Sequence, residues 1–204
     1  MSDAAHWDEA YDRLGPMGVS WFQRSPEVSR RSIERLDVAP AAPIVDVGGG
    51  ESALVDALLD GGADDVSVLD LSATALAGAR ERLGTTDRVH WIRGDVRAWA
   101  PDRTYAVWHD RALFHFMVTP LDIASYVRAA RAGVARGGHM VLGTFAADGP
   151  TRCSGLPVVG YAPEDLAATI GAGFSLIASE REEHRTPSGA VQAFTWVTLR
   201  RDAM

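Results

Sequence analysis

The stretch IVDVGGGESALVDALL, Ile44–Leu59, decides how this chain is read. Four apolar-rich residues end in three glycines behind Asp46, and a helical pattern follows at once. That layout is a strand, a tight turn and a helix. Gly48-Gly49-Gly50-Glu51-Ser52-Ala53 matches G-x-G-x-x-A, a permitted form of the dinucleotide fingerprint. Alone, the match leaves three occupants open: a dinucleotide, a nucleoside without phosphate, or nothing.

The flanking pattern repeats the unit. Strands are predicted at 44–47, 66–69, 89–92, 105–108 and 139–145, with helices at about 53–59, 72–83 and 121–135. Ser72 caps the second of these helices. A helix from Pro163 to about Gly171 precedes two long strand-like runs, 174–184 and 191–200, joined by Thr186-Pro187-Ser188-Gly189. That turn implies an antiparallel hairpin. The fold class is α/β: a doubly wound, mostly parallel seven-stranded sheet, helices on both faces, closed by the hairpin. Ligands of such sheets bind beyond the carboxyl ends of the strands. Asp46–Gly50, Asp70, Asp95 and His109–Asp110 all fall at predicted strand ends, so one cleft should collect them.

At 204 residues the chain suits a single domain, 1–204. Its apolar share of 47% supports an ordinary core. No run approaches the ~20 apolar residues of a membrane span, and MSDAAHWDEAYDR lacks the layout of a signal peptide. A cytoplasmic location is expected. One cysteine, Cys153, excludes an internal disulfide framework. A net charge of −7 without like-charge blocks favours neither nucleic acid nor an anionic membrane as partner. The sequence holds no lysine and no asparagine, which removes Schiff-base chemistry on a protein lysine and the GxxxxGK[ST] phosphate loop. His109, His139 and His184 lie in or beside strands without ligand spacing, so no metal site is expected.

Three acids bear on the glycines. Asp46 faces a pyrophosphate unfavourably but suits an amino group and a sulfonium. Asp70 lies twenty residues past Gly50 and can accept from both ribose hydroxyls. Asp95 can accept from an adenine amino group. VDVGGGES (45–52), VLDLS (68–72), GDV (94–96) and the closing hairpin together resemble the seven-strand S-adenosylmethionine (SAM)-dependent methyltransferases, over nearly the whole chain. Ser52 departs from the third glycine of many members. The resemblance implies that Asp46, Gly48, Gly49 and Gly50 form the methionine-side loop. Asp70 and Leu71 would hold the ribose, Asp95 and Val96 the adenine, and His109 would lend backbone near the methionine moiety.

WHDRALFHF (108–116) supplies the candidates for chemistry. Asp110 and His115 are possible bases, and Arg111 can hold a carboxylate; Phe114 joins them on the substrate side. Asp110-Arg111 as a structural pair and His115 as a core histidine stay open. Asp-Arg-Ala-Leu resembles a segment of thiopurine methyltransferases, whereas HWDEAY (6–11) and WFQ (21–23) look more like small protein-lysine methyltransferases, whose Lys-Gly-Thr is absent here. Cys153 reads as a lining residue or a small hydrophobe.

Two helices are expected before the first strand. Trp7, Tyr11 and Leu14 share helical spacing, and Ser25-Pro26-Glu27 reads as a helix start running to about Leu36. Residues 1–40 are expected to form a lid over a 41–204 core, with Tyr11 near the methionine end and Trp21 and Phe22 near the acceptor. The reading is methyl transfer from SAM to an N, S or O nucleophile of a small molecule or protein. An NAD(P)-dependent oxidoreductase and a non-catalytic SAM-binding scaffold are the alternatives.

Overall fold

A computed structural model describes residues 4–203. Strands β1 (Ile44–Val47), β2 (Val66–Asp70), β3 (Val89–Arg93), β4 (Tyr105–Arg111) and β5 (Val134–Phe145) are parallel. Strands β8 (Phe174–Arg185) and β9 (Val191–Arg201) form the antiparallel hairpin, and the sheet order is β3-β2-β1-β4-β5-β9-β8. The expected architecture is therefore the observed one. Helices α1 (Ala4–Leu14) and α2 (Glu27–Glu34) precede it; α3 (Leu54–Asp60), α4 (Ala73–Leu83), α5 (Pro120–Gly133) and α6 (Pro163–Ile170) connect the strands. A two-stranded ribbon, β6 (Arg152–Cys153) and β7 (Leu156–Pro157), forms within TRCSGLP, which sequence pattern does not mark. No helix among the described residues is long and apolar enough to cross a membrane.

Three boundaries differ from expectation, each for a tertiary reason. Strand β4 runs on through His109, Asp110 and Arg111, because β1 pairs with it as far as Asp110 and β5 as far as Arg111. The helix before β5 stops at Gly133 and the strand begins at once, its early residues pairing with β4 across a register shift. Helix α2 starts at Glu27, and the Ser25 hydroxyl bonds the Glu27 carboxylate at 2.5 Å instead of capping the backbone.

Extending β4 changes the direction of three side chains. Successive residues of a strand face opposite sides. His109 and Arg111 take the face covered by α2 and the chain before it; Asp110 takes the face covered by α5. There the Tyr126 hydroxyl donates to Asp110 at 2.7 Å and accepts from Trp108 Nε1 at 3.0 Å.

The segment expected as one lid divides in two. Helix α2 is part of the core, with Val28 and Ile33 buried. Alternate residues of β8 hold this helix and the chain leading into it. Glu180 pairs with Arg31, Glu182 accepts from Gln23 at 2.8 Å, and His184 Nε2 donates to the Ser20 carbonyl at 2.8 Å. Gly143 on β5 leaves room on this face: its register partner Trp196 lays its indole there and donates to Glu182 at 2.8 Å. A β-carbon at Gly143 would stand 2.7 Å from that ring. Gly143→Ala is expected to destabilise the protein by about 1–3 kcal/mol through overpacking, measured as a lower midpoint in urea unfolding.

Candidate active site

The site lies at the carboxyl ends of β1–β4, where the chain turns away from the sheet. Gly48 has φ +74° and Gly50 φ +49°, backbone that glycine adopts without strain. Side chains would also fill the loop: a β-carbon on Gly48 would stand 2.5 Å from Leu113, and one on Gly50 would stand 2.6 Å from the Tyr11 hydroxyl. Gly48 and Gly49 donate backbone N–H groups to the Leu69 carbonyl, which pulls the loop over the end of β2.

A cavity of about 640 Å³ opens beside this loop. Its walls bring together Gly48, Asp70, Leu71, Asp95, Val96, Tyr11, Trp21 and Arg111 from the sequence-predicted set. A second cavity of about 520 Å³ lies across Tyr11 and Trp21, lined by Asp46, Gly48, Gly49, His109, Phe22 and Arg111. Tyr11, Trp21, Gly48 and Arg111 face both.

The acids differ in environment. Burial pushes Asp70 up to about 6, against the pull of backbone N–H groups of Ser72 and Gly50. Ser72 N donates to Asp70 at 2.8 Å. Burial also raises Asp95, but Arg97 outweighs it, donating from Nε to both carboxylate oxygens at 3.0 Å and holding the group below the ordinary carboxylate range. Asp46 is buried and receives His109 Nδ1 at 2.7 Å; His109 Nε2 accepts from the Ser29 hydroxyl at 2.9 Å. His109 thus contributes its side chain, which it aims at Asp46.

The roof is aromatic. Trp7 meets Trp21 edge to face at 5.8 Å and Phe116 at 5.1 Å, and Trp21 Nε1 donates to the Tyr11 hydroxyl at 3.2 Å. Helix α1 is tied down by Asp8, which accepts from Ser72 Oγ at 2.6 Å and from Thr74 N at 3.1 Å. The same Ser72 caps α4 by accepting from Ala75 N at 3.0 Å. One carboxylate therefore fastens the roof to the helix that begins just past Asp70.

Several expected site residues lie elsewhere. Asp110 is 0% exposed on the opposite face, held by Tyr126 and by the backbone N–H groups of Leu113 and Phe114. Burial raises it to about 6, and it lines neither cavity. His115 is 0% exposed, stacks on Phe145 at 4.3 Å, and makes no hydrogen bond through either ring nitrogen. Burial, then Arg111, lowers it to about 3, so it stays neutral. Phe114 packs on Tyr126 and Tyr161 in the core. The base role expected of Asp110 and His115 and the substrate contact expected of Phe114 therefore lack the required placement. The Asp110-Arg111 pair does not form either, because strand alternation points the two apart. Cys153 is buried and lines neither cavity, and no cluster of metal-ligating side chains occurs among the described residues.

Sequence reasoning missed Ala112, Leu113 and Phe116 as lining residues; Trp7, on the same helical face as Tyr11, also lines the cavity. Ala112 has φ +64°, an uncommon conformation for a residue other than glycine, where the chain turns off β4; nothing local announces it.

Residues 44–138 match the methyltransferase domain family. No curated protein sequence matches the chain. Solved structures do. One concerns the conversion of a disulfide bond into a thioacetal group during echinomycin biosynthesis: TM-score 0.77, 17% identity, 98% of this chain and 93% of that one. A SAM-dependent methyltransferase from Anabaena variabilis gives TM-score 0.75 at 15% identity, over 97% and 93%. The Burkholderia thailandensis 1,6-didemethyltoxoflavin-N1-methyltransferase, with bound 1,6-didemethyltoxoflavin and S-adenosylhomocysteine, gives TM-score 0.70 at 18% identity, over 98% and 84%. At these identities the likeness is one of fold. The chain thus carries a match to a methyltransferase domain over somewhat less than half its length, within a fold it shares with these structures.

Two outcomes follow from the acids. A ribose hydroxyl donates best to an ionised Asp70. Because burial raises this group to about 6, S-adenosylhomocysteine affinity is expected to rise between pH 5 and pH 7. Calorimetric titration across that range should show the slope, and Asp70→Asn should flatten it. Asp110→Asn is expected to cost stability, roughly 1–3 kcal/mol through a disturbed buried hydrogen-bond set, with S-adenosylhomocysteine affinity retained in the folded fraction; chemical denaturation and calorimetry check the two parts.

Proposed function

We propose that this chain transfers the methyl group of S-adenosylmethionine to a nucleophile of a small-molecule acceptor. The carrying observation is the placement of Asp46, Asp70 and Asp95 near the ends of the adjacent strands β1, β2 and β3, around a glycine loop that bears no basic side chain. A pyrophosphate on this loop would stand beside carboxylates; a sulfonium and an ammonium are favoured there. The concave, aromatic-roofed cavity supports a small acceptor over a protein segment.

In this reading Asp70 accepts from the ribose hydroxyls, with Leu71 beside it. Asp95 accepts from the adenine amino group while Val96 packs on the ring. Gly48 and Gly49 let backbone approach the methionine moiety, and Asp46, oriented by His109, faces its ammonium. SAM held there would supply an electrophilic sulfonium methyl for the acceptor's lone pair, the carbon–sulfur bonding pair staying with sulfur. Trp7, Tyr11 and Trp21 shut out water and align the acceptor, so positioning carries the rate. With Asp110 and His115 enclosed away from the cavities, the acceptor's proton leaves by a route that uses neither of them.

Incubation with methyl-labelled SAM and the small-molecule fraction of a cell extract should give a labelled product. Asp70→Ala should weaken S-adenosylhomocysteine binding by roughly 1.5–3 kcal/mol or more. NAD displacing the adenosyl ligand would overturn the reading in favour of an oxidoreductase. Tight S-adenosylhomocysteine binding without transfer to any acceptor would favour a non-catalytic scaffold.

A further inference from the structure

Among the described residues Arg111 is the one basic side chain that faces both cavities, and its guanidinium is asymmetrically used. Nη1 donates to the Trp21 carbonyl at 2.8 Å. Nε and Nη2 are shielded from water and have no hydrogen-bond partner. These two N–H groups point the same way and make the side-on fork of an arginine, which matches the two oxygens of a carboxylate.

The neighbouring acids do not fill the fork. Glu182 is near enough to act on Arg111 electrostatically. Yet one of its oxygens accepts from Gln23 and the other from Trp196. Asp46 acts on Arg111 as well, and it is engaged by His109. The guanidinium lies over the Phe194 ring, 4.8 Å from its centroid. A buried cation whose fork has no partner is costly. With both neighbouring carboxylates bound elsewhere, that fork is left to an incoming anion.

Position along the sheet says which anion. From β3 to β2 to β1 the strand ends carry Asp95, Asp70 and the glycine loop, the assigned seats of adenine, ribose and methionine. Strand β4 is next, and Arg111 is its last residue. A group held there lies one strand beyond the methionine seat, on the acceptor's side. We propose that the methyl acceptor carries a carboxylate, and that Arg111 binds it through Nε and Nη2 with the acceptor's body against Trp21 and Phe116. This rests on the adenosyl assignment above. Because Nε and Nη2 are shielded from water, the 15–25 stretch, which meets Arg111 Nη1 through the Trp21 carbonyl, has to shift to admit the acceptor.

The test uses the full chain with S-adenosylhomocysteine bound, and benzoate and benzamide as probes read by tryptophan fluorescence. Benzoate is expected to bind at least tenfold more tightly than benzamide. Arg111→Gln should erase the preference. Arg111→Lys, which keeps the charge and loses the fork, should reduce it several-fold, and it serves as the measurement if the Gln variant does not fold. Equal binding of the two probes by the unaltered protein, or no binding of benzoate, overturns the proposal and leaves the adenosyl assignment standing. A tenfold loss of S-adenosylhomocysteine affinity in Arg111→Gln, with 5′-methylthioadenosine affinity unchanged, also overturns it, since the fork would then hold the methionine carboxylate. Failure of S-adenosylhomocysteine to bind the unaltered protein takes both readings down.

Discussion

Ser29, His109 and Asp46 form a chain of hydrogen bonds in which each residue is almost wholly withdrawn from water, His109 being 2% exposed. Each member belongs to a different element: α2, β4 and β1. Polar groups buried this deeply cost stability unless partnered, so all three elements have to meet in one arrangement. That arrangement places the end of β1 beside the end of β4 and seats α2 across them. The glycine loop leaves the sheet from the same point, so the carboxylate at the lip of the loop is oriented by the packing of a helix that precedes the whole sheet.

The roof depends on this seating. Once α2 is fixed, the chain before it crosses the hairpin face and is pinned at Gln23 and Ser20 by alternate residues of β8. Trp21 is thereby delivered to the top of β4, where its carbonyl meets Arg111 and its indole meets Tyr11. Helix α1 then closes from the other side through Asp8 on Ser72 and Thr74. Both anchors of the roof lie next to cavity-lining groups, Asp70 on one side and Arg111 on the other. A cover fastened in this way excludes water where electrostatic contacts are strongest.

Strand alternation divides the labour within His109-Asp110-Arg111. One face receives a histidine that orients an acid and an arginine beside the cavities. The other receives Asp110, which caps the turn at Leu113 and Phe114 and is held by Tyr126. Asp110 supports the left-handed turn at Ala112, which in turn lets Leu113 and Phe116 reach the cavity wall. It acts on the shape of the site from behind.

Much of this was legible in the sequence, because it depends on local chemistry. Alternating apolar runs and helical spacings define a parallel sheet whatever lies around them. Glycines at 48 and 50, followed by acids at the next two strand ends, place a cleft by topology alone. Asp70, Asp95 and Val96 reach its wall for that reason. What the sequence left open turns on where one strand stops. Ending β4 at Trp108 puts the next three residues on a loop, free to face a ligand together; pairing on both sides extends it to Arg111 and sends Asp110 away. That pairing is made with residues tens of positions distant, and no local pattern encodes it. The same holds for Asp8 on Ser72, Ser29 on His109 and the unpartnered fork of Arg111. Each is a contact between segments far apart in the chain, and only the packed tertiary structure brings them together.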